Sequence, residues 1–481
     1  MAKLFQTGCL ALFSCLVASV CWGVVIPDVQ PAALDQPQIN VIFRRTPDGT
    51  PLSYNYGGDT YMSVQAYYDT GASGILLSKE TAEGLGIVKN TYNGSTVVYS
   101  DVGVGGADNF HVSEQLYVNM ASFDAGLDTS NPAVFTQQIS NPVRTQIGIN
   151  SADFGTDPID VVGMPAMAGK VVVMDPRPVN DVVAFLSDPD WENLPEDMNM
   201  HTYVYNPGTA YKPATATTDP GIPTTNRHVK LSYGDFSRFT TVTPAGAEGP
   251  TLTHNPFIGP DPVAKMAGST TDTTPGITIS KNGHTTTGSF LLDTGAAASM
   301  ISTTLAASLG VRYEDGIRDP TNPVLEIYNS ETETYETLPN QFQLTLSGIG
   351  GSVVASGFFL DSLLVPTMEA GNPLSADDFK NLCFAGAPVL VSDISLQDPI
   401  THETLTLDGI FGMNYMVGSA DMSGGLYGLC STGVFDWLVF DEPNGVLGLE
   451  LNAAMVPEPG ALVLFAMGAV TLLLRRFIRR R

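Results

Sequence analysis

The feature that most constrains this chain is that it repeats itself. DTGASGILLSKETAEGLGI, starting at Asp69, aligns without a gap to DTGAAASMISTTLAASLGV, starting at Asp293. The order of landmarks continues downstream. Glycine-rich stretches, VGVGGADNFHV and SGIGGSVVASGF, carry Gly103, Gly105 and Gly106 in one copy and Gly348, Gly350 and Gly351 in the other. Then come IDVVGMPAM with Gly163 and DGIFGMNYM with Gly412, and finally VVVMDP and LVFDEP. Matched landmarks in one order mean two related units, whose fold must be built twice.

Each unit reads locally as strand, acidic turn, short strand and brief helix. Val64 to Tyr68 is rich in β-branched and aromatic residues and predicts a strand. Ser78 and Ser302 are natural helix N-caps, and Gly86 and Gly310 natural terminators. With 48 Gly and 33 Pro in 481 residues, the composition suits a chain of strands and turns. The expected class is mainly β.

The repeat also changes what one acidic residue at a strand end means. A single Asp-Thr-Gly is an ordinary solvated turn; two on a pseudo-twofold axis can face each other. Like charges in close contact raise one pKa strongly, so the pair holds one proton over a useful pH range. A water between them has a base on one side and an acid on the other, which is what attack on an amide carbonyl needs. Gly71 and Gly295 let backbone N–H groups approach the carboxylates. Thr70 and Thr294 offer hydroxyls that can satisfy buried backbone groups across the junction.

These residues resemble the signature of the pepsin-like and retropepsin-like aspartic proteases, an Asp-Thr-Gly turn after an apolar strand in each half. The resemblance runs from about Ile39 to Leu451. It implies a bilobal, mainly β fold with two pseudo-twofold-related β-barrel-like lobes and a cleft between them. It further implies Asp69 and Asp293 as catalytic residues, supported by Thr70, Gly71, Thr294, Gly295, Gly163 and Gly412. Two lobes in one polypeptide, and the ending LVFDEPNGVLGLELN, are pepsin-like. Ala72 and Ala296 are retropepsin-like, since pepsin-like enzymes usually place Ser or Thr there; an optimum less acidic than a gastric enzyme's is the expectation. The stretches with Gly103, Gly105, Gly106, Gly348, Gly350 and Gly351 look like flaps closing over an extended peptide, the alternative being hairpins of purely structural role. The flap tyrosine of pepsins has no clear equivalent, although Tyr99 is near the first stretch.

The net charge of −27 argues against nucleic acid, whose phosphates are bound through Lys and Arg. Residues 1 to 23, with Lys3 and the apolar CLALFSCLVASVCWG, read as a secretory signal. The end, VPEPGALVLFAMGAVTLLLRRFIRRR, carries an apolar run followed by five arginines. It is short for a membrane span of about 20 residues, and its arginines would stay cytoplasmic. It resembles the PEP-CTERM sorting signal, which implies a Gram-negative-type bacterium, an exosortase-like processing partner, contact with the bacterial membrane and an envelope or secreted location. Of the five cysteines, Cys383 and Cys430 lie in the body; they could pair after export or stand as two buried thiols.

The expected organisation is a signal peptide at 1–23, a first protease lobe at 24–180, an insertion or linker at 181–275, a second lobe at 276–452 and a sorting segment at 453–481. HTYVYNP and RHVKLSYGDF read as strands inside the insertion, whose PATATTDPGIPTT and STTDTTPG read as loop. DPDWENLPED lacks the glycine and spacing of an EF-hand, and His402-Glu403 lacks the second histidine of a zinc-protease helix. No metal and no cofactor are expected. Neither is a Gly-x-Ser-x-Gly elbow present. The expected function is an exported aspartic endopeptidase acting on peptide or protein as a monomer. The alternative is an inactive protein of the same fold with a binding or structural role in the envelope.

Overall fold

A computed structural model of the protein describes residues 24–26, 29–33, 35–92, 94–121, 128–149, 159–179, 199–212, 220–235, 241–244, 262–266, 276–369, 380–397, 404–417 and 434–452. The chain is mainly β. The signal segment, the sorting segment, Cys430 and the DPDWENLPED run lie outside the described residues. Among the described residues no helix is long and apolar enough to cross a membrane.

The sequence repeat becomes a repeat of strand pairing. In the first copy, Val64–Tyr68 runs into the Asp69 turn and pairs in parallel with Val161–Val162. That short strand pairs antiparallel with Ile75–Leu77, which pairs in parallel with Gln146–Gly148. Gln146–Gly148 then pairs with Gly106–Val112, the inner arm of a hairpin whose other arm is Ser95–Gly103. The second copy follows the same path: Phe290–Leu292 with Gly409–Phe411, then Met300–Ile301, Pro388–Val391, Gly351–Phe359 and Phe342–Gly348. Identical pairing directions at each step make the two copies structural counterparts, not merely similar sequences.

Local chemistry explains each step. The strands feeding the two turns are buried, with Tyr68, Phe290 and Leu292 at 1 % exposure or less. Ser78 and Ser302 accept hydrogen bonds from the N–H groups of Thr81 and Leu305, capping helices Lys79–Gly84 and Thr303–Ser308. Gly86 and Gly310 then leave with φ of +65° and +76°, the left-handed exit that favours glycine.

The closing strands of the copies meet each other. Val171–Asp175 lies antiparallel to Phe435–Asp441, Val172 opposite Phe440 and Met174 opposite Leu438. The segment between the copies extends this junction sheet. His201–Tyr205 pairs with Val171–Asp175, and Arg227–Asp235 with Val446–Leu451. So the HTYVY and RHVKLSYGD stretches are strands, and they are built into the sheet that joins the two copies. One apolar cluster runs through both, from Ile39 and Phe43 to Phe440 and Leu449. That continuous burial, at roughly 25 cal/mol per Å² of apolar surface, fixes how the two turns face one another.

Candidate active site

The two Asp-Thr-Gly turns meet at the junction, stitched by four reciprocal hydrogen bonds. The Thr70 N–H donates to Thr294 Oγ1 (3.0 Å) and the Thr294 hydroxyl donates to the Tyr68 carbonyl (2.6 Å). In return the Thr294 N–H donates to Thr70 Oγ1 (3.1 Å) and the Thr70 hydroxyl donates to the Leu292 carbonyl (2.8 Å). Thr70 and Thr294 are 2 % and 1 % exposed, so no water competes. Each hydroxyl therefore satisfies one donor and one acceptor of the opposite chain segment, and the turns are held as one unit.

The glycines then define the distance between the acids. A Cβ on Gly71 would lie 2.5 Å from Asp293 Cγ, and one on Gly295 would overlap the Asp69 carboxylate. Each carboxylate thus packs on the bare backbone of the opposite turn, a place that only glycine leaves open. The N–H groups of Gly71 (2.7 Å) and Gly295 (3.2 Å) both donate to Asp69 Oδ1.

The two acids are unequal, although backbone N–H groups act on both. Burial raises the Asp69 carboxyl, but the hydrogen bond from Asp293 and the N–H groups of Gly71, Gly295 and Ala72 oppose the rise. Asp293 is pushed well above the ordinary range, by burial first and then by the charge of Asp69. The geometry therefore favours an ionised Asp69 and a protonated Asp293 that donates to it. Asp293 Oδ1 is buried and, among the described residues, accepts no hydrogen bond. A buried polar atom without a partner is costly, and a water donating to it is the partner this position suits.

Beneath each turn passes a Gly-bearing strand end. Asp69 N–H donates to the Val162 carbonyl (3.1 Å) and Asp293 N–H to the Phe411 carbonyl (3.1 Å). A Cβ on Gly163 would overlap the carbonyls of Ala72 and Gly74, and one on Gly412 would lie 2.8 Å from the Ala296 carbonyl. Both glycines serve close approach of backbone to backbone. In the second copy the Gly412 N–H also donates to Ser299 Oγ (2.8 Å), which in turn donates to Asn414.

The glycine-rich stretches are the tips of two hairpins, and the tips touch. The Gly105 N–H donates to the Ile349 carbonyl (2.9 Å). A Cβ on Gly105 would collide with Gly350 and Gly351, one on Gly103 with Ile349, and one on Gly350 with Gly105 and Gly106. A Cβ on Gly348 would lie 3.0 Å from Val104. Gly106, Gly350 and Gly351 have positive φ, which is what turns each hairpin. Below the tips is a cavity of about 410 Å³, lined by both hairpins and both Asp turns. Its floor is the dyad.

Several lining residues were not legible as site residues. Gln36 Nε2 donates to the Gly295 carbonyl, so the segment before Ile39 reaches into the cleft. Asp101 and Gln146 form a hydrogen-bonded pair on the first-copy wall (2.6 Å). The alternation of Val97, Tyr99 and Asp101 on one strand face was the available signal for Asp101. Tyr99 is fully buried on the Ser95–Gly103 arm of the first hairpin, opposite Phe110 and away from the tip. Cys383 is buried on the strand Lys380–Ala385, and its proposed partner Cys430 lies outside the described residues.

Comparison with known proteins adds one match. A family described as Aspartyl protease matches residues 277–322. This stretch contains the second turn, Asp293 to Gly295, with the strands and helix around it. No curated protein matches the chain.

Proposed function

We propose that the protein is an aspartic endopeptidase with two pseudo-twofold lobes in one polypeptide, hydrolysing peptide bonds by a water activated between Asp69 and Asp293. The observation that carries this reading is the dyad itself, two carboxylates bound to each other at the floor of a cleft, on turns locked by Thr70 and Thr294. The match of residues 277–322 to an aspartyl protease family supports it.

In this reading Asp69, the anion, takes a proton from the water as it attacks the carbonyl carbon. Asp293 donates its proton to the developing oxyanion. The resulting gem-diol collapses as the amine leaves with a proton returned through the dyad. The two hairpins act as flaps, each lobe supplying one, and their touching tips exclude bulk water from the cleft. Thr70 and Thr294 position the acids without touching the reacting atoms.

Export, and sorting at a bacterial envelope by an exosortase-like enzyme acting on the C-terminal segment, complete the proposal. They rest on the signal-like residues 1–23 and the PEP-CTERM-like residues 453–481. The test is casein cleavage by the purified ectodomain from pH 3 to 7, with and without a statine-type inhibitor, beside Asp69→Asn and Asp293→Asn. Inhibitor-sensitive cleavage lost in both variants is the expected result. Equal activity in all three proteins, or none in any, overturns it and favours a binding role for the same fold.

A further inference from the structure

The two walls of the cleft are built alike and carry opposite chemistry. Asp101 and Leu346 are counterparts, each two residues before the first glycine of its hairpin tip, Gly103 or Gly348. Gln146 and Leu390 are counterparts too, since each pairs in parallel with the strand after its Asp turn, opposite Leu76 and Met300 respectively. On the second-copy wall the side chains at the matching places are apolar: Leu346 and Leu344 pack onto a cluster of Leu390, Met300, Ile410 and Ala355, with Thr345 and Ser347 also lining the cavity. On the first-copy wall the Gln146 amide donates to Asp101 Oδ2 (2.6 Å) and the Val102 N–H to Asp101 Oδ1 (2.8 Å). Both Asp101 and Gln146 line the cavity.

We propose that the cleft takes a cationic side chain, lysine or arginine, against Asp101 and Gln146, and an aliphatic or aromatic side chain against Leu346, Met300 and Ile410. This specificity rests on the proposal that a peptide binds in the cleft. An ionised carboxylate can accept about four hydrogen bonds, and each Asp101 oxygen has a single donor in the contacts above. Asp101 lines the cavity, so this remaining capacity suits an ammonium or guanidinium head and repels a second carboxylate. Burial raises the Asp101 carboxyl, against the pull of its two donors, so an arriving cation recovers a charge that the empty wall disfavours. The net charge of −27 steers basic peptides toward the protein as a whole.

The probes are hydroxyethylene peptide isosteres, identical except for a lysine or a norleucine side chain on one or the other side of the isosteric bond. They are titrated calorimetrically into the wild-type ectodomain, into Asp101→Asn, and into the double variant Asp101→Leu with Gln146→Leu, which copies the opposite wall and removes the Gln146 amide together with its acceptor. The wild type should prefer lysine on one side of the bond by about 10- to 100-fold, as a charge-assisted hydrogen bond in a cleft supplies. Asp101→Asn should lose most of that preference, and the double variant should prefer norleucine on both sides. Equal affinities in the wild type, or a lysine preference that survives in the melt-verified double variant, overturn the proposal. Casein cleavage is run on the same wild-type sample. A lysine preference without cleavage counts against hydrolysis and for the cation pocket, whereas cleavage without a lysine preference does the reverse.

Discussion

The threonine lock between the two Asp-Thr-Gly turns makes a quantitative prediction. In Thr294→Val the side chain keeps its shape but loses the hydroxyl that accepts from the Thr70 N–H (3.0 Å) and donates to the Tyr68 carbonyl (2.6 Å). Thr294 is 1 % exposed, so water cannot replace it, and one donor and one acceptor are stranded. Each stranded group costs about 1–3 kcal/mol. The methyl that takes the place of the hydroxyl recovers about 0.8 kcal/mol. A net loss of about 1–5 kcal/mol in unfolding free energy follows, a large share of the roughly 5–15 kcal/mol that folded domains possess. Thr294→Ser keeps the hydroxyl and gives up one buried methyl, so it should lose only about 1 kcal/mol. Urea unfolding of the three proteins, followed by tryptophan fluorescence, separates the cases. Under native conditions the valine variant should also cleave about 100-fold more slowly, the loss that an ångström of misplacement produces, while the serine variant stays near wild type. Valine and serine variants of equal stability, or a valine variant within about 0.5 kcal/mol of wild type, the range of an inert surface change, would refute the account of the junction.

Gly295→Ala puts a methyl into the Asp69 carboxylate; cleavage should fall by at least about 100-fold, measured as kcat/KM on casein-derived peptides. Asp293 has its pKa raised on folding, so the folded state holds its proton more tightly than the unfolded chain. Its contribution to stability is full below the unfolded value and is lost as pH rises through the folded one. Asp293→Asn should therefore melt higher than wild type at pH 7, and the gain should shrink at pH 4, as calorimetry can record. The same two raised carboxyls predict a bell-shaped rate profile, falling on the acid side as Asp69 takes a proton and on the alkaline side as Asp293 loses one; a peak near pH 2 contradicts this. Gly105→Ala adds a methyl that collides with Gly350 when the hairpin tips meet. KM for peptides should rise about tenfold, as expected when the closed state falls to about a tenth of its population, with kcat moving less.

Much of the fold and of the dyad was legible because both rest on local sequence repeated in order. Asp69 and Asp293 were identifiable from the ungapped match of their flanks, and the strand-turn-strand-helix reading follows from side-chain alternation and the Ser78 and Ser302 caps. Gly163 and Gly412 could be placed because an apolar pair plus glycine recurs at the same station. The contacts that were not legible join residues far apart in the chain. Nothing near Gln36 announces that its amide reaches the Gly295 carbonyl, 259 residues away. Asp101 and Gln146 are separated by 45 residues and meet only because Gln146–Gly148 pairs with Gly106–Val112. In the segment between the copies, HTYVYNP and RHVKLSYGDF were legible as strands, but their place in the sheet comes from the edges that Val171–Asp175 and Val446–Leu451 offer.

Placing both copies in one chain has a physical consequence at the cleft. In a symmetric pair of identical subunits every wall residue occurs twice, so an acid on one wall is an acid on both, facing itself across the dyad. The resulting like-charge repulsion would also raise the carboxylates at the axis further. A single chain is free of that constraint. It keeps what must be equal, the Asp-Thr-Gly turns and the four threonine bonds, and varies what need not be, Asp101 against Leu346 and Gln146 against Leu390. The same freedom reaches the dyad: Gln36 touches the Gly295 turn, and Asp69 Oδ1 gathers the N–H groups of both Gly71 and Gly295. Two acids that are equivalent by sequence thereby sit in different hydrogen-bond surroundings.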